Sequence, residues 1–234
     1  NEKETATKLA SELKSVGAVV TENVGGFGVV GLMKNGDGPT VMVRTDLDAL
    51  PVAEATDVPY ASKVTTVDAE GNTVGVMHAC GHDGHSAMLL GAAKYLAETR
   101  NFDGALVVIF QPAEEGGGGA REMCEDDMMA RWNIQEVYGM HNWPGEPAGN
   151  FYIRPGPFLA ATDQFVITVE GCGRHAAKPQ QTVDPTVAAS QMVLSLQSVV
   201  SRNADPVQQM VISVTSFETS SKAYNVIPAS VHLR

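Results

Sequence analysis

The hydrophobic and polar positions near the start of the chain predict one helix followed by three strands. Apolar residues recur at helical spacing through residues 3–16, and Gly17 ends the repeat. Three apolar runs come next, at residues 18–24, 27–33 and 40–45, with turn-forming residues between them. The third run is apolar at consecutive positions, which is typical of a central strand that is covered on both faces.

The middle of the chain continues as alternating helices and strands. A polar loop over residues 51–75 precedes a helix that we expect to begin at about Ser86. Buried strands are predicted at residues 106–110 and 136–140, and another helix between these two strands should run through Met129. This alternation is typical of an α/β domain.

The pattern changes near residues 154–157, and the remaining residues predict a smaller α+β domain. Its predicted elements are a strand at residues 163–170, a helix from Asp184-Pro185 to about Ser201, and strands at 210–217 and from 231 onward. The aspartate-proline pair is a typical helix start, with the aspartate as N-cap and proline at the first helical position. We therefore predict two domains, over residues 1–156 and 157–234.

Composition and charge narrow the function without assigning it. Apolar residues make up 44% of the 234 positions and charged residues 18%, as in ordinary globular proteins. The net charge of −11 argues against binding a nucleic-acid backbone. No apolar run reaches the roughly 18 residues of a membrane span, and the first residues lack secretory-leader features. Three widely spaced cysteines imply no disulfide framework, so we expect a cytoplasmic protein. From the net charge and the absence of a long apolar run, we expect it to bind neither nucleic acid nor membrane.

Residues 77–85 concentrate side chains that bind metals. They include His78, Cys80, His82 and His85, although the whole chain has only six histidines and three cysteines. Cys80 and His82 lie in a glycine-containing loop with one residue between them, and thiolate and imidazole bind zinc and similar metals. The alternative is a buried thiol beside surface histidines. A structural zinc knuckle would need a second Cys/His pair, and the sequence has none nearby. His78 and His85 are either further ligands or groups that support the ligands.

Acidic and imidazole side chains follow the ends of three predicted strands. These side chains are Asp46 and Asp48, then Glu114 and Glu115, then His141. Ligands of open α/β sheets bind outside strand ends, so we expect these groups near one another. Adjacent glutamate carboxylates repel each other, and a metal ion would compensate their negative charge. One of the two glutamates could bind the metal while the other acts as general base. Either aspartate could hold a ligand imidazole by accepting its N–H. If each group is considered alone, the simpler interpretation is that the glutamates are solvated loop residues and that His141 has a structural role.

Several motifs, in this order, resemble one family. Those of the first domain are Arg44-Thr-Asp-Leu-Asp-Ala-Leu-Pro51, Met77-His-Ala-Cys-Gly-His-Asp83, Phe110-Gln-Pro-Ala-Glu-Glu-Gly116 and Gly139-Met-His141. Those of the second are His175-Ala-Ala-Lys-Pro, Thr182-Val-Asp-Pro185 and Asn225-Val-Ile-Pro228. Together they are similar to the amidohydrolase branch of the aminoacylase/carboxypeptidase metallopeptidases. That branch includes hippurate hydrolases, N-acetyl-diaminopimelate deacetylases and plant auxin-conjugate hydrolases.

The resemblance implies a fold and an activity. The fold is an α/β catalytic domain with a central mixed, twisted sheet flanked by helices, interrupted by a smaller α+β lid domain that commonly mediates homodimerisation. The activity is hydrolysis of the amide bond of small N-acyl amino acids, such as hippurate or N-acetyl conjugates. It depends on two divalent metal ions, often manganese, zinc, nickel or cobalt.

The resemblance also implies roles for particular residues. The implied metal ligands are Cys80, His82, Glu115 and His141. The implied catalytic residues are Glu114 as general base, Asp48 as orienting carboxylate and His175, on the lid, as a group that stabilises the oxyanion.

The chain departs from the family pattern in two ways. The family's catalytic domain resumes after the lid and supplies one more histidine ligand, whereas this chain ends at Arg234 within the lid, so we expect a fragment. Near His175, Arg174 stands where the family usually has glycine, and Gln180 stands where it commonly has histidine, which bears on substrate contacts.

Three alternatives to the amidohydrolase remain open at this point. The first is a dipeptidase or carboxypeptidase on the same scaffold. The second is a catalytically silent module for metal binding or dimerisation. The third is a structural Cys/His zinc protein, which would lose its fold on metal removal.

Overall fold

The chain divides into two compact units, Asn1–Asn150 and Phe151–Arg234. The computed structural model describes residues 2–69 and 71–234. Asn1 at the N-terminus and Glu70, within the predicted loop, lie outside the described residues.

The first unit contains four helices and seven strands in its described residues. The helices are α1 Lys3–Ser15, α2 His82–Thr99, α3 Gly119–Glu125 and α4 Met128–Arg131. The strands are β1 Val19–Val24, β2 Gly28–Asn35, β3 Thr40–Asp46, β4 Thr65–Val67, β5 Thr73–Gly75, β6 Gly104–Gln111 and β7 Glu136–Gly139. The helix predicted at residues 3–16 and the strands predicted before residue 46 are confirmed to within two residues at each end.

Five of these strands form one mixed sheet, and the predicted α/β class is confirmed. The strand order is β1-β2-β6-β3-β7, while β4 and β5 form a separate hairpin within the predicted loop. Strands β1, β2 and β6 pair antiparallel. Strand β3 pairs parallel with β6 on one side and with β7 on the other. The carboxyl ends of β3, β6 and β7 therefore lie at one edge of the sheet.

Helices cover both faces of the sheet, and alternation along β6 supplies both cores. Leu106, Val108 and Phe110 belong to a cluster that also contains apolar residues of α1 and α2. The intervening Val107 and Ile109 face a second cluster, which contains methionines of α3 and α4. Because every side chain of β6 from residue 106 to residue 111 is buried, this strand has a continuous apolar run, as central strands do.

The structure corrects the predicted start of the second helix. Helix α2 begins at His82, four residues before Ser86, after Gly81 in a left-handed conformation with φ +81°. The first turn is made of polar residues, so hydrophobic periodicity does not mark it. Tertiary contacts stabilise that turn instead, including the Ser86 hydroxyl, which donates to the backbone carbonyl of Asp46 at 3.0 Å.

The strand predicted as buried at residues 136–140 is instead exposed. All four residues of β7 are exposed, because this strand ends the sheet order and the helices pack over its neighbours. The helix predicted to run through Met129 is also interrupted, since Asp127 adopts a left-handed φ of 58° between α3 and α4.

The second unit contains a three-stranded antiparallel sheet packed against one helix, consistent with the predicted α+β pattern. Its strands and α-helix are β8 Ile167–Glu170, β9 Arg174–His175, α5 Pro185–Ser198, β10 Phe217–Thr219, β11 Val226–Ile227 and β12 Ser230–Leu233. A short 3-10 helix, Pro179–Gln181, precedes α5, and a π-helical turn, Val199–Asn203, follows it. The sheet order is β10-β12-β8, and β9 pairs separately with β11. Asp184 caps α5 as predicted, accepting the Thr186 N–H at 2.8 Å. The strand predicted at residues 210–217 is largely irregular, and β10 begins only at Phe217.

None of the described helices is both long enough and apolar enough to cross a lipid bilayer.

Replacing Leu13 by alanine should destabilise the first unit. Leu13 is fully buried between α1 and the sheet, and removing a buried leucine side chain typically costs about 2–5 kcal/mol of unfolding free energy. Both tryptophans, Trp132 and Trp143, belong to this unit, so their fluorescence in a urea titration reports its unfolding. Val19→Thr is the control, because Val19 is 69% exposed in a strand. Equal midpoints for the two variants would contradict this packing.

Candidate metal centre

The site is built where three parallel strands end. Asp46 is the last residue of β3 and pairs in register with Gln111, the last residue of β6. The ladder extends one step further, because the Leu47 N–H donates to the Gln111 carbonyl at 2.9 Å. The segments that leave these two strands carry Asp48 and the glutamate pair Glu114-Glu115. His141 follows the end of β7 on the other side of β3.

A short backbone bridge brings the cysteine loop to the same place. Leu50 and Met77 exchange two backbone hydrogen bonds of 2.9 and 3.0 Å, which join the segment after β3 to the segment before the loop. Three residues later the chain reaches Cys80, and helix α2 then begins at His82. Because His82 and His85 are three residues apart on this helix, both face the same side, and both are buried.

Asp48 contacts two candidate ligands at once. Its Oδ1 atom lies 3.1 Å from Nδ1 of His82, and its Oδ2 atom accepts the backbone N–H of Glu115 at 2.9 Å. Asp48 is 4% exposed, so little water competes for these contacts. A proton on His82 Nδ1 leaves Nε2 free to bind a cation, which is the usual arrangement for a histidine ligand.

Two overlapping groups of donor atoms have the spacing of a metal site. In the first, one ligand atom from each of Cys80, His82 and Glu115 lies within 4.8 Å of the others. The second holds Asp46, His82, His85 and His141 under the same limit. His141 also links the groups, because its Nε2 atom is 3.4 Å from the Cys80 sulfur.

The donor atoms fit a divalent cation. Nε2 of His82 is buried and has no hydrogen-bond partner among the residues that the structure describes, although it faces Asp46 and Glu115 at 3.8 and 4.0 Å. A buried polar atom without a partner is costly unless something binds it. Thiolate, imidazole and carboxylate together are ligands of zinc and related transition metals.

The electrostatic environment is strongly acidic. Burial and the neighbouring charges of Asp46 and Glu115 raise the pKa of Glu114 above its ordinary value. Burial, together with a hydrogen bond from the thiol to Glu115 and the nearby carboxylates, raises the pKa of Cys80 to about 11. Both shifts have the direction that an acidic cluster without a compensating cation produces.

One arginine partly balances this charge. Arg44, on β3, pairs with the carboxylate of Asp46 and donates to Gln111 Oε1 from Nε and Nη2 at 2.8 and 2.6 Å. The pair holds Asp46 at the wall of the site. Sequence reasoning assigned no role to Arg44 or Gln111, although both lie within the quoted motifs.

The structure brings most of the sequence-predicted site residues together. Cys80, His82, Glu115 and His141 meet at the strand ends, with Asp48 and Glu114 beside them. His175 lies in the second unit, exposed on β9, where its Nδ1 atom accepts the Ala177 N–H at 3.1 Å.

Sequence reasoning also missed Asn142. This residue stands directly after His141, and its backbone and side chain both contact His85. Its only signal in the sequence is its position next to a candidate ligand.

Comparison with known proteins gives a family match over most of the chain. The model of peptidase family M20/M25/M40 matches residues 42–232, a range that contains every site residue from Arg44 to His175. Among solved structures, a Bacillus subtilis protein described as a dinuclear metal binding peptidase from the M20 family is 32% identical in sequence. Its match covers 100% of this chain and 57% of that chain, with a TM-score of 0.68.

Two curated relatives illustrate the range of similar proteins. A hippurate hydrolase of Campylobacter jejuni is 44% identical over 225 residues, which are 96% of this chain and 56% of that protein. Thermostable carboxypeptidase 2 of Saccharolobus solfataricus is 40% identical over 235 residues, covering 98% of this chain and 57% of that protein. The chain thus spans a little over half the length of these relatives. The motifs, the mixed sheet and the match over residues 42–232 agree, and the chain belongs to peptidase family M20/M25/M40.

Proposed function

We propose that the protein hydrolyses the amide bond of N-acyl amino acids, such as hippurate or N-acetyl conjugates, in a metal-dependent reaction. The products are a carboxylate and a free amino acid. The observation that carries the proposal is the meeting of Cys80, His82 and Glu115 donor atoms within 4.8 Å, beside the second glutamate, Glu114. The 44% identity to a hippurate hydrolase supports this substrate class.

In this proposal, Cys80, His82, Glu115 and His141 would hold two divalent metal ions. The donor set suits zinc, manganese, nickel or cobalt, and the similarity to a dinuclear metal binding peptidase supports the number. When bound, such ions supply Lewis acidity, which polarises a carbonyl group and lowers the pKa of water.

Glu114 would act as the general base and then as the general acid. Its carboxylate would take a proton from the attacking water and return that proton to the leaving amine nitrogen. The raised pKa of Glu114 supports this role, because a base works best when its pKa lies near the operating pH. Asp48 would fix the tautomer and the orientation of His82 through its contact with Nδ1.

The second domain enters the proposal through its sequence motifs. His175 would stabilise the negative oxygen that develops on the substrate carbonyl. We propose residues 1–156 as the metal-binding part of the catalytic domain and residues 157–234 as the lid domain. A homodimer formed through that lid, and a cytoplasmic location, are further parts of the proposal.

One other function has a specific observation in its favour. The 40% identity to a thermostable carboxypeptidase favours peptide substrates on the same scaffold. A panel of N-benzoyl, N-acetyl and dipeptide substrates, assayed with metal analysis of the same sample, separates the two. Turnover of peptides alone would support the peptidase, and bound metal without turnover of any of these substrates would contradict both.

Glu114→Gln should abolish most turnover and leave metal binding intact. The amide cannot accept a proton, and loss of a general base typically lowers the rate by about 10²–10⁴-fold. The measurement is kcat on an N-acyl amino acid, with metal content determined on the same preparation. Glu146→Gln is the matched control, because Glu146 is exposed and lies outside the site. Full activity of Glu114→Gln would overturn the assignment of the base.

In the metal-free protein, Cys80 should react slowly with iodoacetamide at pH 8. Only the thiolate is nucleophilic, and a pKa of about 11 leaves roughly 100-fold less thiolate at this pH than the ordinary value of 9.0. The rate should rise about tenfold for each pH unit below 11.

Peptide mapping of the alkylated protein checks this expectation within one molecule. The exposed Cys124 and Cys172 serve as internal controls and should react at least about tenfold faster than Cys80 at pH 8. Equal rates at all three cysteines would show that Cys80 is not held in an acidic, partly buried environment.

A further inference from the structure

The site contains a buried histidine that the proposed function does not use. His85 is 3% exposed and faces the same side of α2 as His82. The nearest described partner of its Nε2 atom is Asn142, which follows His141 in the chain. The backbone N–H of Asn142 lies 3.1 Å from Nε2, and the side-chain Oδ1 of the same residue lies 2.6 Å from it.

These contacts tie an exposed edge of the fold to a well-packed helix. His141 is delivered by β7, whose residues are all exposed and which pairs with only one neighbour in the sheet. Helix α2 is anchored in the main core through Leu89 and Ala93. In one tautomer Nε2 of His85 donates to the amide oxygen of Asn142 and in the other it accepts the backbone N–H, so either tautomer holds Asn142 against the helix.

A second observation, on the cysteine loop, points the same way. Gly81 lies so close to Asn142 that a Cβ atom at Gly81 would come within 2.6 Å of the Asn142 Oδ1 atom. The amide of Asn142 therefore fills the space between His85 and the loop that carries Cys80. The ring of His141 packs on the ring of His85, with centroids 4.5 Å apart.

We propose that His85 and Asn142 form a clasp that positions His141 for cation binding. The clasp fixes the distances from the His141 ring to Cys80 and to His82. The pairing of β7 with its one neighbouring strand would not fix these distances. Both members are positioning residues, since each acts through His141. The inference rests on the proposed function only in naming a divalent cation as the ligand; the placement of His141 is testable without metal.

The metal-free test is an NMR measurement on the full chain with labelled histidine. In the unmodified protein, a nuclear Overhauser effect should join the rings of His82 and His141, whose centroids are 5.7 Å apart. His85→Phe keeps a ring of similar size but removes both polar contacts, so this effect should disappear. His85→Gln keeps a hydrogen-bonding group at the same reach and should retain it.

The metal-dependent test is a titration with Co²⁺, followed by its visible absorption. Loss of a group that orients a ligand typically weakens metal binding by about 10–100-fold, and we expect His85→Phe to fall in that range. Asn142→Ala, at an exposed position that should not threaten folding, should weaken binding less, because its backbone N–H remains. His85→Gln should bind nearly as well as the unmodified chain. His232→Gln, in the second unit, is the matched control and should change nothing.

Each outcome decides the proposal. A merely structural role for His85 would lower the thermal midpoint of His85→Phe while leaving the ring contact and the Co²⁺ affinity of the folded protein unchanged, and that result would overturn the clasp. Failure of the unmodified chain to bind Co²⁺ would overturn the proposed function, and the ring contact in the metal-free variants would then decide the clasp by itself. Should His85→Phe not fold, a weaker ring contact in Asn142→Ala, which loses the side-chain contact but keeps the backbone N–H, supports the clasp, and a ring contact of unchanged intensity there refutes it.

Discussion

Parallel pairing of β3 with β6 and β7 is the constraint on which the site depends. Parallel strands end at the same edge, so the residues that follow them are forced into one region even though they are far apart in sequence. The antiparallel strands β1 and β2 instead extend the sheet and bury the apolar face of α1. Candidate ligands therefore follow β3, β6 and β7 but not β1 or β2, and β6 in addition supplies residues to both cores.

The convergence has an electrostatic cost that a cation would relieve. Asp46, Asp48, Glu114 and Glu115 all lie near the strand ends, and Arg44 pairs with only the first of them. The raised pKa of Glu114 and of Cys80 follows from this excess of negative charge and from burial. The same excess of negative charge attracts divalent cations. The repulsion between the carboxylates is therefore also what favours metal binding at this site.

Rigidity is distributed unevenly around the donor atoms. His82 is held in two ways, by its position on a core helix and by its contact with Asp48, whereas His141 comes from an exposed edge strand.

The predicted class of fold, the helix at residues 3–16 and the apolar strand around Val108 could all be predicted from the sequence, because their hydrophobic periodicity is local. The exposure of β7 could not, since it depends on where the helices pack.

The sequence by itself determined the kinds of donor groups and their positions after strand ends, because residue type and hydrophobic pattern are properties of short segments. Only the tertiary structure decided that α2 begins at His82 and that Asp48 reaches both His82 and Glu115. It alone also joined His85 to Asn142, which is 57 residues away in the chain. The physical reason is common to all three: a polar helix turn and a hydrogen bond between distant segments leave no periodic trace, and they exist only once the sheet has brought those segments together.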